Sequence, residues 1–198
     1  FYLERDGRVR VIAPDSGLTT TAIDLDVFTG NEDGLLGIRL DPDFATNRWL
    51  YLYYSPNDGV PRNRLARFTV NGNSIDPASE AVLLDVTTQR NTCCHAGGSM
   101  VFDGDGNLYL TTGDNTNPFE SGSFTPIDER TGRQDFDAQR TSGNTNDLRG
   151  KVLRIHPEDD GTYTVPDGNL FPVGTAQTRS EIYAMGFRNP FRFTVDTD

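Results

Sequence analysis

Residues Cys93-Cys94-His95-Ala96-Gly97-Gly98 put two thiols, an imidazole and a glycine pair directly ahead of a short apolar run, Ser99 to Phe102. A neutral imidazole is a competent proton acceptor near neutral pH. Glycines let a substrate or a planar cofactor lie close to the backbone. A histidine at a strand entrance is also an ordinary structural residue, and on these residues alone both readings stand. Cys93 and Cys94 are the only cysteines of the chain. They read either as a vicinal disulfide or as two small buried thiols; neighbouring Cα atoms, ~3.8 Å apart, are closer than a disulfide usually spans. A Cys-Cys-His metal centre is disfavoured, because adjacent residues on a strand face opposite ways.

Other groups have simpler readings. Asp103-Gly104-Asp105-Gly106-Asn107 copies the start of an EF-hand loop, but Asp114 stands where that loop needs a bidentate Glu. Asp-Gly favours tight turns, so a hairpin is expected there. Asp128, Asp135, Asp137 and Asp147 fall in a long polar segment, Asn115 to Arg149, and read as solvated acids or a structural Ca²⁺ site. A loop of that length suits a wall over a site or a plain surface insertion. His156 before Pro157 reads as exposed and inert. Trp49, Tyr51 and Tyr53 alternate with Leu50 and Leu52, which suits packing between sheets rather than a sugar platform.

The elements that must position these residues are strands. Apolar runs recur between Asp, Gly, Asn and Pro, and helical periodicity is hard to find. Gly37–Leu40 leads through an acidic turn to Trp49–Tyr54, Ser99–Phe102 to Leu108–Thr112, and Val152–Ile155 to Tyr163–Val165; Arg192–Val195 reads as a further strand. The spacing, roughly 40–60 residues, is that of four-stranded propeller blades. The start, Phe1 to Arg5, reads as the middle of a strand. Both ends therefore read as cut, with about three blades in hand where a closed ring needs at least about four.

The chain has 198 residues, 18 basic against 29 acidic, and a formal net charge of −11. That acidity opposes binding to nucleic acid or anionic lipid. No apolar run approaches the ~20 residues of a membrane helix.

Four segments in order carry a family resemblance: Asp33-Gly34-Leu35-Leu36-Gly37 with Asp41-Pro42-Asp43-Phe44; Cys93 to Phe102 running to Thr112-Gly113-Asp114-Asn115; Gly150-Lys151-Val152-Leu153-Arg154-Ile155; and Ile182 to Pro190. Their order and spacing resemble the glucose/sorbosone dehydrogenase family, over nearly the whole chain and about half of a family propeller. The resemblance implies an all-β, six-bladed β-propeller of which this chain is roughly the N-terminal half. It implies an enzyme that oxidises the C1 hydroxyl of an aldose to a lactone and passes hydride to pyrroloquinoline quinone (PQQ), with an external electron acceptor. His95 corresponds to the catalytic base, and Arg188 to a cation on the quinone oxygen. Asn115, Arg188, Asn189 and Gly97 are implied cofactor contacts, and Glu32 touches substrate. Ca²⁺ ligands and further basic contacts are expected beyond residue 198. The family is mostly secreted or periplasmic, which favours the Cys93–Cys94 disulfide. One departure stands out: the residue before the catalytic His is acidic in the soluble glucose enzymes and is Cys94 here, which leaves the orientation of His95 unaccounted for. The family also contains non-catalytic extracellular propellers, so a carbohydrate- or protein-binding role is the alternative. A calcium-dependent lactonase-type propeller is disfavoured, since no segment clusters several acids at one strand entrance.

Overall fold

The computed structural model describes residues 1–196. It is all-β, with three antiparallel sheets following one another along the chain. The first joins β1 (Tyr2–Leu3), β2 (Arg8–Ile12) and β3 (Thr19–Asp24). The second runs in order through β4 (Leu35–Leu40), β5 (Trp49–Tyr54), β6 (Arg62–Asn71) and β7 (Ser74–Thr87), with one helical turn, α1 (Phe44–Asn47), between its first two strands. The third contains β8 (Gly97–Phe102), β9 (Leu108–Thr112), β10 (Lys151–Pro157) and β11 (Tyr163–Thr164), and β12 (Ile182–Met185) also pairs with β10.

The sequence of β5 explains the stacking. Its pleat sends Leu50, Leu52 and Tyr54 to one side, where they join Val9, Val11 and Ile23 of the first sheet. Tyr51 and Tyr53 face the other side and meet Met100, Phe102, Leu108 and Leu110 of the third. A strand apolar on both faces must be covered on both, so the middle sheet is packed between its neighbours. Trp49 lies at the rim instead, with the Arg67 guanidinium 3.7 Å from its ring centroid; Arg67 also donates to the carbonyls of Glu158 and Asp159 across the sheet boundary. At the inner edge, β4 and β8 approach so closely that a Cβ on Gly37 would collide with the Gly98 carbonyl.

Several expectations change. Arg192–Val195 forms no strand, and the opening segment contributes only Tyr2–Leu3. The stretch from Asn115 to Arg149 is built rather than structureless: it contains three 3₁₀ turns, at Gly122–Phe124, Gln134–Phe136 and Ala138–Arg140, and it buries Phe136 and Leu148. Its acids are mostly paired within the loop. Buried Asp128 holds Ser121, Arg130 and Arg133, Asp137 pairs with Arg140, and Asp147 with Arg149. Asp135 accepts from Asn91. His156 is half-buried, its Nδ1 3.1 Å from Asn107 Oδ1. β10 pairs Ile155 with Leu108, so the next residue, His156, lies against the Asp-Gly turn rather than in solvent.

Candidate active site

The topology gathers one end of several strands: the starts of β4, β8 and β10, and the ends of β9 and β12. His95 precedes β8, Asp114 and Asn115 follow β9, and Arg188 and Asn189 follow β12. The β8–β9 hairpin pairs Phe102 with Leu108 and Met100 with Leu110, then shifts by one before Gly97 meets Thr112. That bulge sets His95 opposite Asp114. His95 is buried, 5% exposed, and its Nδ1 lies 2.7 Å from Asp114 Oδ1. Asp114 also accepts from the backbone N–H of Thr116, 2.9 Å. A carboxylate can only accept, so Nδ1 carries the proton and the lone pair is left on Nε2. Gly113 is required between them, because a Cβ there would strike the His95 carbonyl.

The backbone of His95 is fixed from two sides. Its N–H donates to Glu32 Oε2, 2.6 Å, and its carbonyl accepts from Asn115 N–H, 3.3 Å. Asp114 N–H donates to the Arg188 carbonyl, 2.9 Å, and Gly97 N–H to Asn189 Oδ1, 3.2 Å. The Glu32 and Asn189 side chains and the backbones of Asn115 and Arg188 thus contact the segment that carries the His95–Asp114 pair. Asn31, His95 and Asn115 have φ of 55°, 66° and 54°. Left-handed conformations at non-glycine residues are concentrated where surrounding structure holds strain at a site.

A cavity of about 540 Å³ opens beside the pair. Glu32, Gly97 and Asn189 line it together with Arg5, Asn31 and Arg192. His95, Arg188 and Asn115 are not among its lining residues; the Arg188 side chain is exposed, and the Asn115 amide is committed to the backbone of Gln89. One glycine, two amides, two guanidinium groups and the Glu32 carboxylate line the cavity beside apolar Leu35, Leu36 and Phe191. Arg5 is partly engaged already, donating to the carbonyls of Asn31 and Asp33. A second cavity of similar size, about 550 Å³, lies at the far end of β4 and β8 over Phe1, Asp41 and Phe102, away from every group described here.

Cys93 and Cys94 are joined by a disulfide, half-buried, on a small crevice shared with Glu32, Gln89 and Asn115. Thr92, just before it, is held by Gln89, Asn31 and Asn117. Deeper in, burial pushes the Asp33 carboxyl above its ordinary range, against the pull of Ser55 and Arg90. The described residues contain no group of three or more His, Cys, Asp or Glu side chains placed to hold a metal, so no calcium ligand is assigned among them. No described helix is long and apolar enough to cross a membrane.

Asp114 is the residue that sequence reasoning passed over. Counting outward from the Asp103–Asn107 turn pairs Asp114 with Ala96, and only the bulge moves it to His95. It supplies the carboxylate that position 94 lacks.

Comparison with known proteins adds four findings. A family model described as Glucose / Sorbosone dehydrogenase matches residues 1–198. Aldose sugar dehydrogenase YliI of Escherichia coli is 28% identical over 189 residues, covering 94% of this chain and 44% of that protein. The Hedgehog-interacting protein of Mus musculus is 27% identical over 217 residues, covering 99% of this chain and 28% of that one. The crystal structure of a Thermus thermophilus protein described as an oxidoreductase (glucose dehydrogenase) superposes with a TM-score of 0.72 at 30% identity, over 94% of this chain and 48% of its own. The chain thus spans less than half the length of each.

Proposed function

Because the chain belongs to the glucose/sorbosone dehydrogenase family, we propose that the full protein is a PQQ-dependent aldose sugar dehydrogenase that oxidises the C1 hydroxyl to a lactone. In this reading the chain is about half of a six-bladed propeller, and the cavity at its strand ends is part of the central site. The observation that carries the reading is the buried His95–Asp114 pair beside a cavity lined by Arg5, Arg192, Asn31 and Asn189.

PQQ, when bound, supplies the two-electron hydride acceptor. Gly97 and Asn189 would hold it, with cations from Arg5 and Arg192 and, as the family resemblance implies, Arg188; Asn115 contributes by fixing Gln89 and the His95 carbonyl. The protein's own part is proton handling and orientation. Asp114 accepts a hydrogen bond from the Nδ1–H of His95 and so keeps Nε2 as the base. The C1 hydroxyl proton moves to Nε2, and the imidazolium that forms is stabilised by the Asp114 charge at 2.7 Å. Glu32 holds the His95 N–H with Oε2 and lines the cavity, where a sugar hydroxyl can donate to its carboxylate. Calcium, supplied by the rest of the protein, completes the proposal without a role for these residues. The disulfide suits an extracellular or periplasmic location, where such bonds persist.

The similarity to the Hedgehog-interacting protein across 99% of the chain favours one second reading, a non-catalytic binding propeller. Adding PQQ, Ca²⁺ and aldoses to the full-length protein decides between them: dye reduction supports the enzyme, and absence of both turnover and PQQ binding supports the binding module.

A further inference from the structure

We propose that Lys151 is a positioning residue for this site: its ammonium gathers three backbone carbonyls and so fixes the segments that carry Asp114 and Arg188. This rests on the catalytic reading given above. Lys151 is the sole lysine among 198 residues, and it is 0% exposed. An ammonium is costly to bury without partners. Among the described residues it forms no ion pair; its three N–H groups go to the carbonyls of Thr141 (2.8 Å), Ser142 (3.1 Å) and Arg149 (2.8 Å). A methionine would fill the same space without the desolvation cost, so the lysine answers a need for donors.

Those carbonyls belong to the backbone that frames the site. The Ser142 carbonyl also accepts from Gly186 N–H, 3.2 Å, at the exit of β12. Next to Lys151, the Gly150 carbonyl accepts from Phe187 N–H, 3.0 Å, and Gly150 N–H donates to Gly113, 2.8 Å. One residue further along each strand, Asp114 N–H donates to the Arg188 carbonyl. The strand register makes the same join, since Lys151 pairs with Thr112 on one side and Met185 on the other. The ammonium thus ties the closing turn of the 115–149 loop, and that turn is joined to the end of β12 through the Ser142 and Gly150 carbonyls and to the end of β9 through Gly150 N–H. Burial lowers its pKa to about 8; Asp147 opposes that loss and Arg149 adds to it. The facing positions on β9 and β12 are Thr112 and Met185, which do not titrate.

The test is amide hydrogen exchange on the full-length, cofactor-free protein, comparing wild type with Lys151→Met. The proposal expects at least tenfold faster exchange at Asp114, Gly186 and Phe187, with Leu52 and Ala66 in the middle sheet unchanged. It also expects the ring ¹⁵N signals of His95 to move, and kcat for sugar oxidation to fall at least tenfold with KM within about twofold. Exchange that rises evenly over all three sheets, or at none of the three amides, overturns it. If Lys151→Met does not fold, wild type carried from pH 7 to pH 9.5 should show the same three amides opening first, after correction for intrinsic exchange. Uniform or absent change there overturns it equally. Wild type that never oxidises sugar would sink the catalytic reading and not the positioning one, which the exchange pattern alone decides.

Discussion

Nδ1 of His95 and Oδ1 of Asp114 lie 2.7 Å apart although 19 residues separate them in sequence, because a bulge in β8 shifts the hairpin register by one. That shift determines which ring nitrogen is free. It also answers the question raised by Cys94: the acid that orients the imidazole comes from across the hairpin.

Asp114→Asn should therefore lower kcat by on the order of 10²–10⁴ while substrate affinity changes little, because an amide can present N–H to Nδ1 and favour the wrong tautomer. Steady-state kinetics on the full-length protein, with thermal melts to confirm folding, checks this. Wild-type kcat in Asp114→Asn would detach the carboxylate from the mechanism.

The long loop should be acid-labile. Asp128 is held well below its usual carboxyl range, first by hydrogen bonding from Arg130, with Ser121 and Arg133 adding to it. The ionised form is the one the loop binds, so this stabilisation is complete above the ordinary Asp value of 3.8, drains progressively as pH falls below it, and is fully lost only below the much lower folded value. Limited proteolysis between Asn115 and Arg149 should accelerate below about pH 3.5 before the sheets open. Asp128→Asn should show the same sensitivity at pH 7.

Much of the fold was legible because β5 announces its environment: alternate residues of Trp49–Tyr54 are apolar on both faces, which only a strand covered on both sides tolerates. The Asp-Gly turn at Asp103–Gly106 likewise fixed the β8–β9 hairpin. The ordered loop was not legible, since its cohesion comes from Asp128 meeting two arginines stacked on Phe124 and Phe136, pairings that leave no periodic trace. Arg192–Val195 has strand composition but finds no partner strand among the described residues. The family resemblance implied one site for His95, Glu32, Asn115, Arg188 and Asn189; contacts link the first three and set Asn189 on Gly97, while the Arg188 side chain is exposed. Asp114 was hidden by a bulge that residue counting does not reveal.

Leu50→Ala should cost about 2–5 kcal/mol, as expected for a fully buried leucine between two packed sheets. Urea denaturation measures it. A loss below about 1 kcal/mol would mean that the face between the first two sheets is not packed as described.

Peptide mass spectrometry of the non-reduced protein should find the Cys93–Cys94 peptide about 2 Da lighter than after reduction, and resistant to alkylation. Ready alkylation without reductant would show two free thiols beside the site instead.

The central claim is that His95 acts as the base. Dye reduction by the full-length protein with PQQ, Ca²⁺ and an aldose tests it most directly when wild type is set against His95→Ala. The account predicts a loss of roughly 10²–10⁴-fold in kcat with PQQ still bound. Turnover by His95→Ala at the wild-type rate would contradict it.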